Sequence, residues 1–174
     1  MSNTLHLKSE KNEVTNLMDY GIQLGRRFRS LKLWMIMRSF GQEGLINLLR
    51  EHIRLGKMLA KWIDASSDFH ALPVTFSTVC FRYFPKDLKE LSKKSKEKEA
   101  SIENYLNELN EAIMHSLNKS GKIFLSHTKV QDRFTLRISI GNIKTTEKHV
   151  KEAWELLQEH AKKLDDEMRK DFVL

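Results

Sequence analysis

One cysteine in 174 residues excludes an internal disulfide, and Cys80 lies in the apolar run VTFSTVCFRYF, where a buried strand thiol is expected. No run approaches the roughly 18 consecutive apolar residues of a membrane span. The leading MSNTLHLKSEKNE has no apolar core of the signal-peptide kind, so a cytoplasmic protein with no membrane partner is expected. The chain also has no GxxxxGKS phosphate loop, GxSxG elbow, HExxH or CxxC. Its histidines, His6, His52, His70, His115, His127, His149 and His160, are dispersed and form no compact ligand pair, so no metal site is expected. His149 with Glu152, and His115 with Glu111, have the spacing of helix-surface pairs.

Positive charge is present but local. The sequence pI is about 9.5 and the formal net charge is +7. Between Tyr20 and Gln42 lie Arg26, Arg27, Arg29, Lys32 and Arg38 without one acid. Elsewhere acids and bases interleave, and no aromatic-studded strand of the RNA-binding kind occurs, so no nucleic-acid partner is expected. Gly25 ahead of the arginines suggests a turn where backbone approaches something closely. Phe28, Leu31, Leu33, Trp34 and Ile36 suggest a helix entering a core. A basic turn feeding a helix suits an anion; a solvated basic helix start fits the same residues.

Periodicity orders the rest. Arg29 to Phe40 predicts a first helix closed by Gly41, and Glu43 to Asp64 a second, with Leu45, Leu48, Leu55, Leu59 and Ile63 recurring at three- and four-residue steps. His52 falls near that stripe, as a packed helix histidine or a site residue. Phe69 to Leu72 and Phe76 to Phe84 have strand chemistry and stop at Pro85. Lys86 to Glu99, with six lysines and four acids, suggests a solvated connection or a frayed helix start. Ser101 is the expected N-cap of a helix ending near Gly121. Lys122 to Lys129 and Arg133 to Ile140 alternate as a hairpin turning at Val130 to Asp132. Thr145 or Thr146 caps a last helix running to about Arg169, with a charged tail that frays. The expected fold class is α+β: a small, mainly antiparallel sheet with helices packed on one face.

The string DYGIQLGRRFRSLKLW, together with VCFRYF, LNEAI, DRFTLRISIGN and HVKEAWELL, resembles the C-terminal portion of the pyridoxal-phosphate-dependent group II amino-acid decarboxylases, the family of aromatic-amino-acid, tyrosine and histidine decarboxylases. The resemblance runs from about Val14 to Leu164. It implies that residues 1–32 are the tail end of a large cofactor domain with its linker, and residues 33–174 the C-terminal small α+β domain of a fold-type I enzyme. The complete enzyme would be a carboxy-lyase using pyridoxal phosphate, acting on aromatic L-amino acids as a homodimer.

The family's Asn-Pro-His-Lys motif, whose lysine forms the Schiff base, does not occur here. The resemblance therefore implies an isolated chain that is inactive, binds the cofactor weakly or not at all, and is completed by the large domain from missing sequence or another chain. Gly25 and Arg26 match the family's phosphate-side turn and are the cofactor-contact candidates. Arg27 and Arg29 are left between phosphate contacts and ion pairs with acids of the large domain. His6 stands either where the family has a catalytic loop tyrosine or as an exposed loop histidine, and no catalytic residue is assigned. Arg137 is expected to point away from the core and to pair with an acid across the domain interface. The alternative is a non-catalytic interaction or dimerisation module derived from the same family.

Overall fold

The computed structural model describes residues 28–170. The chain divides into two compact units, residues 1–41 and 42–174. Helix α1 (Arg29–Ala65) crosses that division and is interrupted at Gly41, whose φ of 65° and ψ of 176° are non-helical. A positive φ there strains any side chain with a Cβ, so the glycine marks the break that ends the first helical segment.

In the first unit, Phe28, Leu33, Trp34, Met35, Ile36 and Met37 are each at least 46% exposed. Five of them are consecutive, so at about 100° per residue they point around the whole circumference of the helix. The expectation of a helix entering a core is not met by the described residues of this unit.

The second unit is built on one antiparallel sheet, order β1-β2-β4-β3, with β1 Phe69–Ala71, β2 Thr78–Tyr83, β3 Ser126–Val130 and β4 Arg133–Ser139. The register opposes Val79 to Ile138 and Phe81 to Leu136, so period-two alternation gathers the apolar side chains on one face. Onto that face come Leu55, Leu59 and Ile63 of α1, Leu106, Leu109 and Ile113 of α3 (Glu99–Lys119), and Leu157 and Ala161 of α4 (Glu147–Met168). Phe69 stands edge-on to both Tyr83 and Trp154, ring centroids 4.9 Å apart in each pair. This is the expected α+β arrangement.

Where β2 and β4 stop pairing, side-chain amides of α3 take over. Asn110 accepts from Tyr83 N at 2.8 Å and donates to Tyr83 O at 2.9 Å. Asn107 accepts from Phe134 N at 2.7 Å. Buried backbone groups at the strand ends thus keep partners without further ladder.

Two local expectations need correction. Lys86–Lys94 is a helix, α2, because Pro85 sets its start and Leu88 is buried beneath it. Ser101 lies inside α3, which begins at Glu99 out of a short 3₁₀ turn, and so it does not cap it. The last helix ends at Met168, close to the expected Arg169, and this end is anchored, since Asp165 is buried and Arg169 pairs with both Asp165 and Asp87. The expected fraying of the tail concerns residues 171–174, outside those described. Thr146 is the cap of α4, and His149 Nδ1 accepts from Thr146 N at 3.1 Å in a capping box.

Candidate functional site on the uncovered sheet face

The face of the sheet opposite the core is polar and basic. Strand alternation places Thr78, Cys80 and Arg82 of β2 there, with Thr135, Arg137 and Ser139 of β4. Arg137 is exposed, and its Nε donates to Ser126 Oγ at 2.9 Å. It does point away from the core, but no carboxylate pairs with it among the described residues. Cys80 is a strand residue as expected, yet it lies opposite Arg137 on this outer face and is half-buried, so it is not a core thiol.

At one end the face sinks into a concavity of about 600 Å³ lined by His70 and by the cations Arg82, Lys89, Lys93 and Arg133. Leu72, Phe84 and Val130 supply its apolar part, and no Asp or Glu lines it. Arg82 is buried, pairing with Glu103 and donating to Asn107 Oδ1 at 2.7 Å. Its Nε is buried without an acceptor. Burial pulls the pKa of this guanidinium down, and the charge of Glu103 opposes that shift. Glu103 also approaches Arg133 Nε at 3.6 Å, while Lys89 sits over the Phe84 ring, 5.6 Å from its centroid. Arg82 and Arg133 therefore share one carboxylate, and Lys89 and Lys93 make no ion pair with it among the described residues. Sequence reasoning passed over Arg82 and Glu103; the one available signal was an arginine inside the apolar run VCFRYF.

The sequence-derived candidates fall elsewhere. Gly25, Arg26, Arg27 and His6 lie outside the described residues. Arg29 is exposed at the start of α1. His52 is buried, with Nε2 3.2 Å from Asn142 O, and packs rather than facing a pocket. His115 and Glu111 do form an exposed surface pair at 3.7 Å, whereas His149 serves the α4 cap. His160 Nδ1 is 2.8 Å from Ser116 Oγ, a tie between α3 and α4. Among the described residues no three His, Cys, Asp or Glu side chains could hold a metal, and no helix is long and apolar enough to cross a membrane.

The basic concavity does not fit a pyridoxal-type cofactor. It offers lysines, a histidine and cations for a phosphate, but a pyridinium nitrogen needs a carboxylate partner, and none is on its walls.

Comparison with known proteins points in one direction. Residues 2–84 match the family model described as the pyridoxal-dependent decarboxylase conserved domain. The chain is 40% identical over 156 residues to tyrosine decarboxylase 2 of Arabidopsis thaliana, covering 89% of this chain and 26% of that protein. It is 41% identical over 154 residues to a phenylacetaldehyde synthase of the same plant, covering 88% of this chain and 29% of that protein. The crystal structure of an Oryza sativa TDC with PLP and tryptamine superposes with a TM-score of 0.67 at 33% identity, over 87% of this chain and 30% of that one. Mouse CSAD, at 19% identity, a TM-score of 0.69 and coverage of 89% and 32%, shares the fold. The chain thus spans less than a third of the length of these relatives.

Proposed function

The chain is a partial portion of the pyridoxal-dependent decarboxylase family, and we propose that it is the C-terminal part of an enzyme that removes the α-carboxylate of aromatic L-amino acids with pyridoxal phosphate. The fold is that of the C-terminal small domain of fold-type I enzymes. Residues 1–32 then belong to the large cofactor domain and its linker, and residues 33–174 to the small domain. When bound, the cofactor supplies the electron sink for loss of carbon dioxide. Gly25 and Arg26 would hold its phosphate in this proposal, and the Schiff-base lysine, the acid and the stacking ring would come from the rest of the enzyme. The assembled enzyme is cytoplasmic and dimeric in this proposal.

The observation that carries the proposal is identity of about 40% along nearly the whole chain to proteins over three times its length. The all-round apolar surface of residues 33–37 supports it, since a helix of that kind belongs against further polypeptide. It also argues against the free-standing module. Similarity to both decarboxylases and phenylacetaldehyde synthase leaves the fate of the carbanion to the missing portion.

The test is complementation. The chain alone should release no carbon dioxide from tyrosine or tryptophan, and borohydride reduction after incubation with pyridoxal phosphate should leave no stoichiometric adduct at a single lysine. Mixed or co-expressed with the unmatched remainder of Arabidopsis tyrosine decarboxylase 2, it should restore release. A stoichiometric single-lysine adduct on the chain alone would overturn the proposal.

A further inference from the structure

The uncovered sheet face has an electrostatic character that the amino-acid pattern did not announce. His70, Arg82 and Thr135 form one row across β1, β2 and β4, and α2 places Lys89 and Lys93 beside it, with Arg133 arriving from the β3–β4 turn. Alternation explains the first three. The helix, which the sequence left between a solvated connection and a frayed helix start, explains the lysines: positions 89 and 93 are one turn apart and share a side. Lys93 is exposed and has no carboxylate partner among the described residues. Glu103, the acid beneath, is already divided between Arg82 and Arg133. Concentrated cations with a single shared acid repel one another, an arrangement that becomes favourable when negative charge arrives from outside.

We infer that this concavity docks an acidic segment of the remaining portion of the enzyme, with Lys89, Lys93 and Arg133 pairing its carboxylates and Leu72, Phe84 and Val130 receiving its apolar side chains. The inference rests on the chain being part of a larger decarboxylase. Three observations select this occupant. The relatives extend well beyond the matched segment, so a covalent or associated partner of adequate size exists in the family. The concavity's 600 Å³ has room for several side chains, and its cations are spread along α2 and the hairpin turn rather than converging on one point. It also opens on the same face as Arg137, which is exposed and without an acid among the described residues, so one docking event would supply carboxylates across this face. Charge pairing of this kind sets partner choice and association rate.

The test uses the full chain and, as probe, the unmatched remainder of Arabidopsis tyrosine decarboxylase 2. Affinity is measured by titration calorimetry at low and moderate salt, alongside thermal unfolding of each variant. Wild type should bind, and bind less tightly as salt rises. The charge reversal K89E/K93E should weaken binding by about tenfold or more at low salt, and the neutral K89Q/K93Q by an intermediate factor. Control reversals K148E/K151E on α4 should stay within about twofold, because they lie outside the concavity. All variants should unfold at the wild-type temperature. Binding by K89E/K93E as tight as wild type would overturn the docking while leaving the enzyme-fragment reading intact. Absence of any wild-type complex would overturn both. Saturable binding of inorganic phosphate that K89E/K93E abolishes, with complex formation unchanged, would assign the concavity to a small anion and overturn the docking.

Discussion

Tyr105 donates its hydroxyl hydrogen to Asp165 Oδ1 at 2.7 Å, joining the first half of α3 to the last turns of α4 through a carboxylate that is only 6% exposed. Tyr83 reaches the other oxygen at 3.4 Å from β2, and Arg169 Nε approaches Oδ1 at 2.8 Å. One buried acid therefore links a strand and two helices. Asp165→Ala removes the carboxylate that accepts from two tyrosine hydroxyls and pairs with Arg169, and should destabilise the chain by about 2–4 kcal/mol, whereas Asp165→Asn keeps an acceptor and should cost about half as much. Urea denaturation with a common slope for all three proteins checks the order.

The same arrangement gives an alkaline limit. Tyr83 and Tyr105 both ionise well above the ordinary tyrosine value of 10.0, first because burial disfavours the phenolate and then because the Asp165 carboxylate repels it and accepts its hydrogen bond. A neutral group whose folded pKa is raised stabilises the fold fully below its unfolded value and loses that contribution as pH climbs through the folded value. Stability should therefore hold up to about pH 10 and fall above it. Phenolate absorbance should show these two tyrosines ionising together with unfolding. Asp165→Asn should lower the pH at which they do so.

Asn110 is fully buried and its amide completes the backbone pairing of Tyr83 in both directions. Asn110→Leu keeps the volume and raises hydrophobicity, so a purely apolar view of the core predicts a gain. Stranding a buried N–H and C=O instead predicts a loss of about 2–4 kcal/mol. The sign of the change in urea midpoint decides between the two.

Most of the second unit was legible because its signals are periodic. The stripes of α3 and α4, the alternation of Phe134, Leu136 and Ile138, and the stop at Gly121 each report one face of one element. The buried polar groups were not legible. Asn110, Arg82 and Asp165 are polar letters whose burial depends on which distant element lies opposite, and no local period encodes that. Helix α2 was left undecided, between a solvated connection and a frayed helix start, for a related reason: its lysine-rich composition reads as solvated, and only tertiary contact under Leu88 selects the helix. Of the candidate sites, the string around the arginine window carried the resemblance to the family, with Gly25 and Arg26 outside the described residues, while the cationic concavity needed the sheet register to bring residues 70, 82 and 133 together.

Phe76 holds a φ of 53° in the tight turn between Thr75 and Thr78, with 78% of its surface exposed. A bulky side chain in the left-handed region costs free energy and here recovers little by burial. Asparagine tolerates that conformation. Phe76→Asn should therefore leave the chain as stable as wild type or up to about 1 kcal/mol more stable, by thermal unfolding. A loss instead would mean that the ring is held by packing.

The apolar surface of residues 28–37 gives the last expectation. Exposed Leu33, Trp34 and Met37 on the acid-free segment of α1 before Gly41, beside Arg38 stacked 6.0 Å from the Trp34 ring, make a patch that water does not favour. In the isolated chain this segment should drive self-association and bind the dye ANS. The substitution L33Q/W34Q/M37Q removes the apolar area without touching the core of the second unit. Sedimentation velocity should then show less association and dye fluorescence should fall, with the thermal midpoint of residues 42–170 unchanged. The same variant should bind the unmatched remainder of Arabidopsis tyrosine decarboxylase 2 more weakly, because the surface that self-associates is the one further polypeptide covers. Undiminished self-association would place the sticky surface elsewhere, and undiminished binding to the remainder would show that this helix is not part of what it covers.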